Sequence, residues 1–191
     1  MFKIVKSIKF FLTSISLFPA YIVFIIKCKA KNKEALKYIE DTKYFSGSFF
    51  EILNNRPEYI CILYMRLGKV SGVLKLFRRN YPCVLPASCK VGGGIYIDHP
   101  HGSHINIKKC GVNLKFKHNV TVGNNHGGIP VIGDNVFLGC GACVLGDISI
   151  GNNVKIGANC VVVKDVPDNA VVIGNPAIIV KLDNKKVNIK L

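Results

Sequence analysis

Aliphatic residues return every six positions along the C-terminal part of the chain. A second small or aliphatic residue follows four positions after each of them. A period of six matches neither the 3.6 of an α-helix nor the 2 of a half-buried strand, and recurrent Gly-Asp-Asn and Gly-Asn-Asn turns exclude a long helix. The pattern predicts a β-solenoid in which six residues form one flat face and three faces close a coil of about 18 residues. The inward positions are Ile132, Leu138, Val144, Ile150, Ile156 and Val162, followed by Val136, Ala142, Ile148, Val154, Cys160 and Val166.

The same register begins earlier in the chain and is broken twice. Ile97 and Cys110 are thirteen residues apart, which is not a multiple of six and predicts a distorted coil. Val122 and Ile132 are ten apart, which implies an inserted loop of four residues around 124–130. Inserted loops on one side of a solenoid commonly carry function, so these breaks are candidate sites.

Residues 1–80 have a helical pattern, with helices predicted over 33–40, 48–53 and 58–77. Before them, the stretch 10–26 carries no charge and has lysines on both sides. Three interpretations remain open for a helix at 3–30: a helix lying in the membrane interface, a helix buried against the solenoid or a neighbouring subunit, and a signal or spanning segment. Pro19, and the lack of a small-residue cleavage site, weaken the third.

The net charge of +15 is concentrated outside the repeats, because residues 1–80 carry +10 and residues 81–191 carry +5. A polyanion, an anionic membrane surface or an anionic cofactor could each account for it. No zinc-finger spacing or aromatic RNA-binding signature is present, so nucleic acid is not an expected partner.

The eight cysteines include no paired CxxC sets, and the single CGAC at 140–143 is weak evidence for a metal. Cys110 and Cys160 fall on inward positions, where cysteine acts as a small apolar residue. We therefore expect no metal and a reducing cytoplasmic location. If the apolar stretch binds lipid, the protein would lie at the inner face of the cell membrane.

Five stretches resemble the hexapeptide-repeat acyltransferases, and specifically their serine-acetyltransferase-like branch. They are GIYIDHP at 94–100, VTVG at 120–123, IGDNV at 132–136, and VPDN at 166–169 with GNPA at 174–177. The resemblance covers 84–182 and implies a mainly β fold, a left-handed parallel β-helix with an α-helical N-terminal region and a basic tail at 183–191. The hand comes from the resemblance alone, because parallel crossovers are usually right-handed. The resemblance also implies a homotrimer and acetyl-CoA as the donor.

Acyl transfer to a hydroxyl needs a base, and histidine suits that task near neutral pH. In the resembling enzymes the histidine of the Asp-His pair is the base and the aspartate contacts the acceptor, which implies these roles for His99 and Asp98. His126 in the inserted loop is the alternative base, and His118 is a third candidate. The remaining two histidines, His101 and His104, are expected to be solvated loop residues.

Coenzyme A is expected to lie along a groove between neighbouring solenoids. The resemblance implies that backbone groups at Cys140, Gly141 and Ala158 hold its pantetheine arm. Lys164 could meet its phosphates as a point charge.

The chain departs from serine acetyltransferases in two places. The carboxylate that pairs with the catalytic histidine should lie near Val84, and none is there. The loop arginine that would bind the carboxylate of an amino acid is also missing, since the loop reads GGIP at 127–130. The missing arginine favours an O-acetyltransferase acting on a sugar hydroxyl in surface polysaccharide biosynthesis. The alternatives are a serine O-acetyltransferase of cysteine biosynthesis and a non-enzymatic scaffold.

Overall fold

The computed structural model describes residues 2–77 and 83–191, with side chains from Lys6 onward. Residues 84–182 form a left-handed parallel β-helix of about five turns, preceded by a helical region, which confirms the predicted fold class. The end of the predicted helical region at 78–80 lies outside the described residues.

Three parallel sheets form the faces of the prism, and the chain visits them in rotation. The first face consists of β1 (Cys83–Val84), β4 (Ser103–Ile105), β7 (Thr121–Gly123), β10 (Cys143–Leu145) and β13 (Val161–Val162). The second consists of β2 (Lys90–Val91), β5 (Lys109–Cys110), β8 (Val131–Ile132) and β11 (Ser149–Ile150). The third consists of β3 (Tyr96–Ile97), β6 (Lys115–Phe116), β9 (Phe137–Leu138), β12 (Lys155–Ile156) and β14 (Ala170–Ile173).

The pairing register follows the period of six. Neighbouring strands pair residues 18 apart in the last coils, as in Val131 with Ser149. The distance rises to 22 across the inserted loop, as in Thr121 with Cys143. Each predicted inward side chain from Ile132 to Val166 is at most 8% exposed, so the period identifies the prism core. Burial also raises the pKa of Cys110 to about 12, which keeps its thiol protonated.

One corner of the prism, between the second and third faces, is held by a ladder of asparagines. Asn113, Asn135, Asn153 and Asn169 adopt left-handed backbone conformations with φ of 57° to 60°. Each side-chain amide donates to the side-chain oxygen one coil further on, at 2.9, 3.1 and 2.9 Å, and the last donates to Asp183 at 2.8 Å. Asparagine tolerates this conformation better than most residues, which explains why Asx-Asn turns recur in the sequence.

The N-terminal region consists of α1 (Phe2–Lys29), α2 (Lys33–Thr42), α3 (Phe49–Asn55), α4 (Tyr59–Leu67) and α5 (Ser71–Leu74). Ser48 and Glu51 form a capping box at the start of α3. The helix predicted over 58–77 is interrupted, because Gly68 has a φ of 69° and a 3₁₀ turn covers Gly68–Val70. At the other end of the chain, β15 (Ile178–Leu182) pairs antiparallel with β14 and with β16 (Lys185–Lys190), so the basic tail forms a strand.

A buried ion pair attaches the helices to the first coil. Arg66 in α4 and Asp41 in α2 have fully buried side chains, with Nε 2.9 Å from Oδ2. The Arg66 guanidinium also donates to the carbonyls of Val91 and Gly92, both at 2.6 Å, and the backbone amide of Ile95 donates to Asp41 at 2.8 Å. Burial raises the pKa of the Asp41 carboxyl above its ordinary value, while the hydrogen bonds from Arg66 act against that rise.

We predict that Asp41→Asn lowers the free energy of unfolding by about 3–5 kcal/mol, because the buried Arg66 loses its main counter-charge. Glu34→Gln is the matched control: Glu34 Oε2 lies 3.0 Å from the same guanidinium, but its side chain is 45% exposed. The control should cost less than about 1 kcal/mol. Urea denaturation followed by circular dichroism measures both, and equal losses would contradict the prediction.

Candidate active site

The corner between the third and first faces, called corner 1, consists of the stacked turns 98–102, 117–120, 139–142 and 157–160. Backbone hydrogen bonds hold the stack together: Asn119 donates to His101 at 2.9 Å, Gly141 to His118 at 3.0 Å, and Asn159 to Cys140 at 2.9 Å. Side chains that are about one coil apart in sequence therefore become neighbours along this edge.

Asp98 and His99 lie at the widest turn of corner 1. The inward positions Ile97 and Ile105 are eight residues apart instead of six, so the extra residues push this turn outward. His99 has a φ of 50° and its side chain is 78% exposed. Its Nε2 lies 3.5 Å from Asp98 Oδ1. Because the side chain is so exposed, the imidazole is open to a reactant.

Lys117 completes this cluster from the next turn of the same corner. Its Nζ lies 3.4 Å from Asp98 Oδ2, so Asp98 stands between an imidazole and an ammonium group. The Asp98 side chain is 30% exposed and that of Lys117 is 44% exposed. The cluster therefore presents a base, a negative charge and a positive charge on one accessible edge.

The strand that enters this cluster is held by the helical region. Arg56 Nη2 donates to the carbonyl of Ile97 at 3.1 Å, and the backbone amide of Ile97 donates to Tyr59 Oη at 3.4 Å. Glu58 Oε1 lies 2.7 Å from Arg56 Nε. Burial raises the pKa of Tyr59 above its ordinary value, so its hydroxyl remains protonated. Sequence reasoning missed these residues, because nothing in their spacing indicates a partner about 40 positions away.

Three of the residues expected to hold coenzyme A also lie on corner 1. Cys140 and Gly141 are half-buried and Ala158 is exposed, one coil further along. Gly141 has a φ of 69°, and a methyl group there would collide with Asn159 Oδ1. The edge is therefore free of a side chain at Gly141, although the Gly141 amide and the Cys140 carbonyl are already bonded to neighbouring turns.

His126 and Lys164 lie elsewhere, on the corner between the first and second faces, called corner 2 (106–108, 124–130, 146–148 and 163–165). The predicted inserted loop is a tight hairpin in which Asn125 pairs with Gly128 and both His126 and Gly127 have positive φ. A face about six residues wide separates the two corners by roughly 15–20 Å. One chain therefore does not bring His126 or Lys164 to the Asp98–His99 pair.

The other three histidines are exposed. His118 lies on corner 1 directly after Lys117, and His101 lies in the same turn as His99. His104 was expected in a loop but lies in β4, with its side chain outward.

A cavity of about 490 Å³ lies beside the third face, and the side chains described around it include no acid, histidine or cysteine. Its lining residues are Tyr44, Asn113, Lys115, Asn135, Val136, Phe137 and Lys155. Among residues 2–77 and 83–191, no three His, Cys, Asp or Glu side chains are grouped to hold a metal ion.

The known proteins to which this chain is similar are hexapeptide-repeat transferases and serine acetyltransferases. Residues 129–164 match the family described as bacterial transferase hexapeptide (six repeats). The serine acetyltransferase of Mycobacterium tuberculosis is 45% identical over 91 residues, which are 45% of this chain and 40% of that protein. The match spans less than half the length of each of the first curated relatives.

Solved structures extend the similarity to most of the chain. The serine acetyltransferase of Neisseria gonorrhoeae superposes with a TM-score of 0.71 at 25% identity, covering 95% of this chain and 80% of that one. Soybean serine acetyltransferase complexed with serine gives a TM-score of 0.71 at 26% identity, covering 84% and 74%. The helical region is therefore shared along with the β-helix.

These comparisons show that the expected sugar acceptor, and with it a role in surface polysaccharide biosynthesis, is wrong. The relatives and the solved structures are serine acetyltransferases, which agrees with the alternative expectation of a serine O-acetyltransferase. The error has a physical reason. The loop arginine is missing, but Lys117 supplies a cation beside Asp98 from the adjacent coil.

We predict that Gly141→Ala destabilises the protein by about 1–2 kcal/mol, because alanine is strained at positive φ. Gly72→Ala is the matched control, since a methyl group at this helical position meets no atom within 4 Å. That change should be neutral or stabilise by about 0.4–1 kcal/mol. Thermal unfolding compares the two variants, and an unchanged midpoint for Gly141→Ala would refute the requirement for glycine.

Proposed function

We propose that this chain, which belongs to the serine-acetyltransferase-like branch of the hexapeptide-repeat acyltransferases, transfers the acetyl group of acetyl-CoA to the hydroxyl of L-serine. The observation that carries the proposal is the Asp98–His99 pair, which interrupts the repeat at corner 1 with Lys117 beside it. An exposed imidazole next to two opposite charges suits a small zwitterion that carries a hydroxyl group.

In the proposed reaction His99 acts as the general base. Its free imidazole nitrogen removes the serine hydroxyl proton while the oxygen attacks the thioester carbonyl carbon. The tetrahedral intermediate collapses as the carbon–sulfur bond breaks, and the imidazolium returns the proton to the departing thiolate. The products are O-acetylserine and coenzyme A. The His99 side chain is 78% exposed, so a substrate can reach the imidazole.

Asp98 and Lys117 would recognise the two charged groups of serine. The carboxylate of Asp98 can accept hydrogen bonds from the serine ammonium, and Lys117 Nζ can bind the serine carboxylate. The two side chains already pair at 3.4 Å, so their charges are close enough to face the two ends of one amino acid. Lysine is a point charge without the fork of arginine, so it substitutes for the missing loop arginine with less geometric selectivity.

Acetyl-CoA would lie along corner 1, with backbone groups at Cys140, Gly141 and Ala158 holding the pantetheine arm. We further propose a homotrimer, in which corner 2 of a neighbouring copy faces corner 1. That arrangement would bring the neighbour's inserted loop with His126, and Lys164 near the coenzyme phosphates, to a site that one chain leaves open.

A cytoplasmic location is part of this proposal. All eight cysteines carry free thiols and five of them are buried, as expected for a reducing compartment. Cys61 and Cys83 form a side-chain hydrogen bond, and together with burial this raises the pKa of the Cys61 thiol well above its ordinary value.

We predict that His99→Asn lowers kcat with L-serine and acetyl-CoA by roughly 10²–10⁴-fold, the usual contribution of a general base. Asparagine tolerates the positive φ of this position, so the fold should be preserved. His104→Asn, on an exposed strand position, is the control and should retain activity. His126→Asn has the same backbone conformation as His99 and tests the alternative base.

The assay is release of coenzyme A in steady state, with circular dichroism to verify folding. A wild-type protein that neither acetylates L-serine nor binds coenzyme A in calorimetry would refute the function. A larger loss of kcat in His126→Asn than in His99→Asn would identify His126, in the inserted loop, as the base.

We predict that Lys117→Gln raises the KM for L-serine about 10-fold or more and changes the KM for acetyl-CoA little, because a charge-assisted bond to the carboxylate is lost. Lys115→Gln is the control, since Lys115 lies on the third face over the rings of Tyr44 and Tyr96. Serinamide as acceptor gives a second readout, because the Lys117→Gln and wild-type proteins should use it equally. Equal KM values for serine would exclude this role.

A further inference from the structure

We propose that the outward face of α1 lies on an anionic lipid bilayer and attaches the protein to it peripherally. This helix has a continuous apolar stripe on its exposed side, and Phe50 of α3 lies beside the middle of the stripe. The residues of the stripe follow one another at intervals of three or four, the spacing of one helix face. They are Ile8, Phe11, Ile15, Phe18, Ile22 and Ile26, and each is 43–63% exposed.

The opposite side of α1 is already occupied by protein. Thr13, Leu17, Ala20 and Phe24 are at most 8% exposed. Phe24 contacts the rings of Tyr38 and Phe49, with centroids 5.6 and 5.5 Å away. At 100° per residue this inward set points about 180° from the outward stripe. The helix is therefore apolar on two sides, and packing within the chain explains only one of them.

Charge at the two ends of the helix indicates what covers the other side. The first 33 residues contain seven lysines and no acid, and no charge lies between Lys9 and Lys27. Lys6 and Lys9 are exposed at one end, and Lys29, Lys31 and Lys33 at the other. Between these clusters the stripe from Ile8 to Ile26 is about 27 Å long. Anionic headgroups would neutralise both clusters while the acyl chains receive the stripe.

A second copy of this chain fits the stripe less well. Pairing two α1 helices would bring lysine clusters against each other with no acid from the first 33 residues to offset them. A spanning helix also fits less well, although Lys6–Lys29 is long and apolar enough by composition. Crossing the bilayer would carry α2 and α3, which pack on α1 and include Lys37, Glu40 and Glu51, into the hydrocarbon.

The test is co-sedimentation of the full chain with vesicles of phosphatidylcholine, with and without phosphatidylglycerol. We expect the protein to sediment with the vesicles that contain phosphatidylglycerol, and to be released when ionic strength rises and screens the lysines. The triple variant Phe11→Ser, Ile15→Ser, Phe18→Ser should bind at least about tenfold more weakly. Lys6→Gln with Lys9→Gln should weaken binding and reduce its salt dependence.

The matched control is Val112→Ser, Ile173→Ser, Ile189→Ser, which removes three apolar side chains of 42–45% exposure outside the helical region and outside both corners of the proposed site. This control should bind vesicles like the wild type. The proposal is overturned if the wild type does not sediment more strongly with vesicles that contain phosphatidylglycerol, or if the α1 triple variant binds them as tightly as the wild type. It is also overturned if that variant sediments as a smaller oligomer in the absence of lipid, which would assign the stripe to a second copy. Acetyl transfer in solution is measured separately, so failure here leaves the enzymatic proposal standing.

Discussion

The fully buried ion pair between Arg66 and Asp41 fixes the helical region against the β-helix. Neither charge can be solvated in place, so each must keep its partner, and both also bond to the backbone of the first coil. Asp41 accepts the backbone amide of Ile95, which is three residues before Asp98. Arg56 then binds the carbonyl of Ile97. The position of the turn with Asp98 and His99 therefore depends on helices that the repeat itself does not require.

Regular coils and the candidate site impose opposite demands on the backbone. A regular corner is a short turn whose asparagine or glycine adopts positive φ, and the asparagines of the ladder bond to the coils above and below, so these side chains are not free to reach a substrate. Lys117 and Lys164 project from regular corners, but both candidate bases lie where residues are added, His99 in the widened turn and His126 in the hairpin. The two breaks in the period are therefore where the candidate bases lie.

The period of six could predict the prism core, the inserted loop and the widened turn, because all three depend on local spacing. It could also have predicted Lys117, which lies 19 residues after Asp98 and hence about one coil away on the same corner. It could not predict Arg56 or Arg66, whose partners lie in another region of the chain. The predicted sugar acceptor was wrong because it relied on the arginine missing from the loop and left out Lys117, which lies beside Asp98 on the adjacent coil.

The distribution of the site between two corners gives the proposed homotrimer a physical purpose. Corner 1 carries the proposed base and the backbone proposed to hold the pantetheine arm, while corner 2 carries the inserted hairpin with His126 and the cation of Lys164. The first face separates them by roughly 15–20 Å, farther than side chains can reach. With His99 78% exposed, a single chain also leaves the reacting atoms in water, where charges attract weakly. In the proposed trimer, corner 2 of a neighbouring copy would cover the open side of the site and exclude water. Catalysis would then depend on assembly of the trimer.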